Sequence, residues 1–167
     1  MNTEQVSAQL ALQVVVTIVQ FHHPRSHELG HAVAARVEAL GAARDVPEWK
    51  RLIASFEVLA RELNRHMQEE EELVLDRVQF LSARARLVFG SLASTKRSFD
   101  ELMREHDKLG VLRKRIEDEL ANTVRFHTDS DEAAAVRNAI KQYLSAWHDH
   151  DAFERHALIP TLAPFLE

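Results

Sequence analysis

The sequence predicts an all-α fold, an up-down-up-down four-helix bundle formed by a single domain over residues 1–167. Hydrophobic residues make up 46% of the chain, whereas Gly and Pro each occur only four times, a composition typical of folded, mainly helical proteins. Apolar residues also recur at helical spacing in four long segments. A chain of 167 residues is long enough for one core and too short for two ordinary domains. Links of modest length between the segments predict antiparallel neighbours.

The first predicted helix contains a proline among several histidines. Its inward stripe is Val15, Val19, His22, Leu29, Val33 and Leu40. Pro24 removes a backbone donor and is predicted to bend or break the helix. His22 keeps the phase of the stripe and is the preferred inward histidine. His23 and His27 remain alternatives for the inward histidine, and His27 becomes the rival of His22 if the helix restarts after Pro24.

The second predicted helix begins near Asp45, a plausible N-cap, with Pro47 in its first turn. Its inward stripe is Leu52, Phe56, Leu59, Leu63, His66, Glu70 and Leu73. Two polar residues therefore lie on a core-facing stripe. The other glutamates of the run at 69–72 are expected on the surface, because charge runs usually form a solvated face.

The third and fourth predicted helices also place polar residues on their apolar stripes. The third stripe is Phe99, Leu102, His106, Leu109 and Ile116, after a connection at 79–91 in which Gly90 is the expected break. The fourth stripe is Val136, Ile140, Tyr143, Trp147, His150, Glu154 and Leu158, between a cap-like Asp129-Ser130-Asp131 and Pro160.

Composition also narrows the classes of function. The chain has no cysteine, which excludes disulfides and thiolate metal ligands and favours a cytoplasmic location. A net charge of −5 without a basic stripe, together with 7% aromatic residues, argues against a nucleic-acid partner. The apolar run at 10–21 contains three polar residues and is too short to cross a bilayer, so no membrane partner is expected. The sequence leaves a homodimer open.

Two His-x-x-x-Glu pairs carry the prediction of a metal site: His66 with Glu70, and His150 with Glu154. With 10 histidines and 17 glutamates in 167 residues, about one such pair is expected by chance. Both pairs, however, lie in phase with an apolar stripe, where an unpartnered carboxylate costs several kcal/mol. The inward positions supply histidine rather than Lys or Arg, and imidazole with carboxylate suits iron, zinc or manganese. The alternative is a hydrogen-bonded polar core without metal.

Four segments together resemble the hemerythrin-like HHE cation-binding domain: FHHPRSHEL, HMQEEEEL, EHDKLG and HDAFERHALIP. The closest likeness is to the di-iron domain of bacterial repair-of-iron-centres proteins. The resemblance implies two iron ions in an oxo- or hydroxo-bridged, non-haem di-iron centre. It implies four nitrogen ligands and two bridging carboxylates, namely His22, His66, His106, His150, Glu70 and Glu154.

Two departures from the family pattern bear on the coordination of the metal. It has no second first-helix histidine in the stretch 39–43, and Gly110 stands where oxygen-carrying hemerythrins have the i+4 partner of His106. One iron is therefore expected to be under-coordinated, which would leave room for an exogenous ligand.

Three functions follow as hypotheses. The first is a di-iron protein that binds a small diatomic ligand or peroxide, or stores and donates iron, as in stress response or iron-centre repair. The second is a di-iron enzyme that decomposes peroxide. The third is a metal-free helical interaction module whose inward histidines and glutamates are only hydrogen-bonded.

Overall fold

The structure, a computed structural model, describes residues 3–72, 92–126 and 130–162. Its α-helices are α1 (Thr3–Thr17), α2 (His23–Ala39), α3 (Pro47–Glu70), α4 (Leu92–Phe126), α5 (Asp131–Phe153) and α6 (Ile159–Leu162). A π-helical segment at Ile18–His22 joins α1 to α2, and another at Glu154–Leu158 joins α5 to α6. The chain thus forms four long helical rods: α1 with α2, α3, α4, and α5 with α6. The predicted all-α four-helix bundle is confirmed. Within the described ranges, every helix is too short or too polar to traverse a lipid bilayer.

The bundle consists of two closely packed helix pairs. α2 packs most extensively on α5, and α3 packs most extensively on α4. The α2–α3 and α4–α5 neighbours touch each other far less. Surface grooves therefore run along these two looser seams.

The apolar stripes form two separate clusters. The larger cluster fills the middle of the bundle and includes the α3 and α5 stripes predicted from sequence, among them Leu59, Leu63, Ile140 and Trp147. A smaller cluster of Val15, Ile18 and Leu158 joins α1 to the end of α5 and α6. Polar residues of the four rods lie between the two clusters. Leu73, Gly90 and the side chains of Phe99 and Leu102 lie outside the described residues.

Pro24 does not break the first rod. The backbone N–H of His23 donates to the carbonyl of Ile18, five residues earlier, and the dihedral angles stay helical through His22 and His23. In a regular α-helix the Pro24 ring would clash with the carbonyl four residues before it. The wider π turn gives that ring room, so the helix continues through this position, where a break was one of the two predicted outcomes.

The last rod repeats this arrangement. The N–H of Ile159 donates to the carbonyl of Glu154, again five residues earlier, and Pro160 follows immediately. The rod therefore continues to Leu162 rather than ending at Pro160. The first π segment directly precedes His23, and the second begins at Glu154, so both adjoin or contain buried polar residues. Such single-turn distortions are frequent at functional sites in proteins.

Two helix starts differ in their capping. Asp45 is not the N-cap of α3, because it ends the short 3₁₀ helix at Gly41–Asp45 and Val46 takes that position without a side-chain hydrogen bond. Pro47 is the first residue of α3, as predicted. Ser130 caps α5, and its hydroxyl accepts a 3.2 Å hydrogen bond from the N–H of Ala133.

Candidate metal centre

The two His-x-x-x-Glu pairs meet inside the bundle, between the two apolar clusters. His66 and Glu70 come from the last turns of α3, while His150 comes from the end of α5 and Glu154 begins the π segment after it. One ligand atom from each of the four lies within 4.8 Å of the others. All four residues are at most 3% exposed. The phase of the two stripes therefore placed these residues correctly in the interior.

Two histidines from the remaining rods join this group. Nε2 of His106, on α4, lies 2.8 Å from a carboxylate oxygen of Glu154. Nε2 of His23, on α2, lies 3.2 Å from a carboxylate oxygen of Glu70. Both histidines are buried, at 2% and 1% exposure. We call these six residues the central cluster: His23, His66, Glu70, His106, His150 and Glu154.

On the first rod the structure brings His23, rather than the preferred His22, against a carboxylate of the central cluster. His22 is half-buried, stacks on Phe153 with ring centroids 5.0 Å apart, and lies 5.6 Å from the His150 ring. His27 is exposed. His22 thus lies at the edge of the cluster, and the sequence had left His23 open as its rival.

The π segment explains this change of phase. One residue more per turn rotates everything that follows by about 100° relative to a continuous α-helix. The inward residues of the rod are Val15, Ile18, His23, Ser26 and Val33. The step from Ile18 to His23 spans five residues, one more than an α-helical stripe allows.

The polar atoms of the central cluster lack the partners that buried groups normally have. Among the described residues, no hydrogen bond reaches the following atoms: Nε2 of His66 and His106, both ring nitrogens of His150, and both carboxylate oxygens of Glu154. The short His106–Glu154 approach lacks the alignment of a hydrogen bond. Each orphaned buried group costs about 1–3 kcal/mol. Convergent nitrogen and oxygen donors of this kind fit metal ions.

Three outer carboxylates orient histidines of the central cluster through Nδ1. The distances are 2.7 Å for Glu71 to His23, 3.4 Å for Glu105 to His66 and 2.6 Å for Asp151 to His106. A carboxylate on Nδ1 turns Nε2 of the same ring toward the centre. This is the usual outer arrangement around histidine metal ligands in proteins.

Comparison with known proteins tests the family resemblance directly. The family model of the hemerythrin HHE cation binding domain matches residues 15–162. The chain belongs to this family. No curated protein and no solved structure matches the chain significantly. The match spans all four rods and every residue of the central cluster of this HHE domain.

The outer carboxylates of the HHE domain follow a sequence pattern that the stripes did not reveal. Each carboxylate is next in sequence to a residue of the central cluster. It contacts Nδ1 of a histidine on a neighbouring helix. The adjacent pairs are Glu70–Glu71, Glu105–His106 and His150–Asp151. On the first rod the equivalent neighbour of His23 is His22, which faces His150. Sequence reasoning assigned Glu71 to the surface and singled out neither Glu105 nor Asp151.

Burial and neighbouring groups shift the pKa values of the acids and histidines in the central cluster. Burial and the adjacent Glu70 raise the pKa of Glu154 well above its usual range. Burial opposes ionisation of Glu70 too, but Glu154 and His23 outweigh it and hold the pKa of Glu70 low. Burial also lowers the pKa of His66 to about 4 and that of His150 to about 3. These two histidines are therefore neutral near pH 7, the form that binds metals.

Proposed function

We propose that this HHE domain holds a di-iron centre in the central cluster and binds a small ligand there, such as oxygen, nitric oxide or peroxide. The observation that carries the proposal is the convergence of six buried nitrogen and oxygen donors. Inward atoms of four of them, His66, His106, His150 and Glu154, lack hydrogen-bond partners among the described residues, while His23 and Glu70 pair with each other at 3.2 Å. A salt bridge to Lys or Arg would be the ordinary alternative. No such cation lies within ion-pair distance of Glu70 or Glu154 in the described part of the chain.

The donor types support iron and leave room for a ligand. Four imidazoles and two carboxylates, without sulfur, suit iron, although zinc and manganese accept the same donors. Six residues are few for two ions, so exogenous ligands would complete their coordination. A bound iron pair would supply Lewis acidity and redox capacity. Glu70 lies beside His23 and His150, and Glu154 lies beside His106 and His150, so both carboxylates would help to hold the ions.

The chain itself would control the surroundings of the ions. Trp147 is 2% exposed, and its ring lies 5.4 Å from that of His106 and 5.3 Å from that of His150. Leu158, in the smaller apolar cluster, follows Glu154 by one helical turn. A dry setting strengthens electrostatic interactions and excludes competing water. A cytoplasmic location, favoured by the cysteine-free composition, is part of the proposal.

Metal analysis by mass spectrometry, reported per chain, tests the proposal. Wild-type protein reconstituted anaerobically with ferrous iron is expected to retain about two irons, as in dimetal sites. Glu70→Ala and Glu154→Ala each remove a donor from the centre and should lower the metal content sharply. Glu72→Ala is the matched control, because Glu72 is exposed in the same run of glutamates.

A separate measurement tests whether the metal centre binds a small ligand. Addition of nitric oxide to the anaerobic, iron-loaded protein should change its visible absorption spectrum.

Retention of about two irons by both glutamate variants would contradict the assignment of the donors. A wild-type protein that keeps no iron after desalting would overturn the proposed function as a whole.

A further inference from the structure

A groove leads from the surface to one histidine of the central cluster. We call it the α4–α5 groove; its volume is about 450 Å³. His106, Gly110 and Val111 line it on α4, and Trp147 and Asp151 line it on α5, with Arg155 just beyond. His106 and Trp147 are almost fully buried, so they form its inner end. Val111 is 71% exposed and marks the outer end.

Gly110 leaves space at the middle of this groove. It lies four residues after His106, which is one helical turn farther along the same face of α4. In the described part of the chain, no heavy atom outside its own helical turn lies within 4 Å of where a Cβ at this position would stand. A helix interior gains nothing in stability from glycine, which costs about 1 kcal/mol relative to alanine. Glycine at position 110 therefore does not stabilise the helix. What it does is leave free space beside His106.

The inner end of the groove borders an unpartnered nitrogen. His106 lines the groove, and its Nε2 has no hydrogen-bond partner among the described residues. A carboxylate oxygen of Glu154, which does not line the groove, lies 2.8 Å from this nitrogen. Asp151 holds the opposite nitrogen of His106 at 2.6 Å, and Arg155 holds Asp151 at 2.9 Å, so the histidine at the inner end is held in place.

The charges of the groove do not favour an ionic ligand. Each of its cations faces a carboxylate: Lys114 pairs with Asp118 at 2.9 Å, Arg113 lies 3.6 Å from Glu117, and Arg155 pairs with Asp151. A path for anions would carry an excess of positive charge. The balance here suits an uncharged molecule, and the free space beside Gly110 accommodates a small one.

The groove on the opposite seam is larger but reaches none of the central cluster. Its volume is about 550 Å³ between α2 and α3, and its lining includes Ala34, Phe56 and Tyr143. No member of the central cluster lines it. Size alone would favour this groove, whereas direct contact with His106 favours the α4–α5 groove.

We propose that the α4–α5 groove is the path by which a small uncharged ligand reaches the metal centre, and that Gly110 keeps this path open. The inference rests on the proposed function, because it requires metal in the central cluster. It assigns to Gly110 the control of ligand access, without contact between Gly110 and the metal ions.

Filling the groove tests this inference. In Gly110→Phe, the aromatic ring would occupy the groove beside His106 and Trp147. Stopped-flow absorption of the anaerobic, iron-loaded protein mixed with nitric oxide should show association slowed roughly ten-fold or more. Dissociation should slow by the same factor, so that the equilibrium affinity and the iron content stay unchanged. Gly110→Ala should slow association less than Gly110→Phe.

Ala34→Phe is the matched control, because it adds the same bulk to the α2–α3 groove. It should leave the rate of nitric oxide association unchanged. Equal association rates in Gly110→Phe and wild type, with iron content preserved, would overturn the inference and leave the proposed function intact. A loss of affinity without slower association in Gly110→Phe would also overturn it, since a blocked path changes both rates together. Absence of iron from the wild type would overturn the proposed function itself.

Discussion

The first-rod histidines give the sharpest test at the scale of single residues. His23 is buried against Glu70, His22 lies at the edge of the cluster, and His27 is exposed. We expect His23→Ala to lower the iron content per chain to about half or less, because it removes a donor from the centre. His22→Ala should have a smaller effect, and His27→Ala should have none. Equal loss of iron in His22→Ala and His23→Ala would show that both histidines are ligands.

Glu105 provides a second test at this scale, because it contacts no predicted bridging carboxylate and yet holds Nδ1 of His66 at 3.4 Å. Removal of such an outer carboxylate typically weakens metal binding about 10- to 100-fold. We therefore expect Glu105→Ala to lower the affinity for iron by that factor in competition with a chelator. Glu101→Ala, at an exposed site one turn earlier on α4, is the control. Equal affinities in the two variants would refute an orienting role for Glu105.

At the scale of elements, the two π segments decide which side chains face inward. Each ends two residues before a proline: the first ends at His22, before Pro24, and the second at Leu158, before Pro160. Proline cannot donate the next backbone hydrogen bond, and its ring excludes a regular turn. The prolines thus favour the wider turns, and the wider turns set the phase of His23 and of the rod after Glu154.

Replacement of Pro24 tests this connection. Pro24→Ala restores a backbone donor and permits a regular α-helical turn. We expect the metal-free protein to gain about 1 kcal/mol in free energy of unfolding, measured by urea denaturation with chelator. The iron content should fall, because nothing then enforces the phase of His23.

Pro47→Ala serves as the control for this experiment. Pro47 is the first residue of α3, a position where proline is favourable, so its loss should cost up to about 1 kcal/mol and leave the iron content unchanged. If Pro24→Ala kept its full iron content, the proline would not be needed for the phase of His23.

At the scale of the whole molecule, metal binding should be linked to the stability of the fold. The central cluster joins all four rods, so a bound ion ties them together only in the folded state. A ligand present at about a thousand times its dissociation constant stabilises the fold by about 4 kcal/mol. We expect chelation to lower the melting temperature of the wild type by several degrees, measured by calorimetry. An unchanged melting temperature would instead support a metal-free helical module.

Replacement of a buried glutamate should lower the stability of the iron-loaded protein but not that of the metal-free protein. Without metal, burial and the adjacent Glu70 disfavour the charged form of Glu154, so its replacement removes an unfavourably buried acidic group. Glu154→Ala is therefore expected to be less stable than wild type in iron and no less stable in chelator. Glu72→Ala should follow the wild type under both conditions. A Glu154→Ala protein that is markedly weaker in chelator would show that the carboxylate stabilises the core by itself.

The sequence by itself determined the helical architecture and most of the central cluster. Burial of an amphipathic helix follows its 3.6-residue period, so Leu59, Leu63 and His66 on α3, and Trp147 and His150 on α5, were correctly placed inside. The same phase brought Glu70 and Glu154 into the core. Periodicity was a sufficient guide there because both stripes run as regular α-helix up to these residues.

Only the tertiary structure decided the first-rod histidine and the outer carboxylates. A stripe assumes a constant period, and the π turn at Ile18–His22 breaks it by one residue, which replaced His22 with His23. Glu105 and Asp151 flank the inward stripes of their own helices and acquire their roles from histidines on neighbouring helices. Such contacts depend on how the rods pack side by side, and the period of a single helix carries no information about its neighbour.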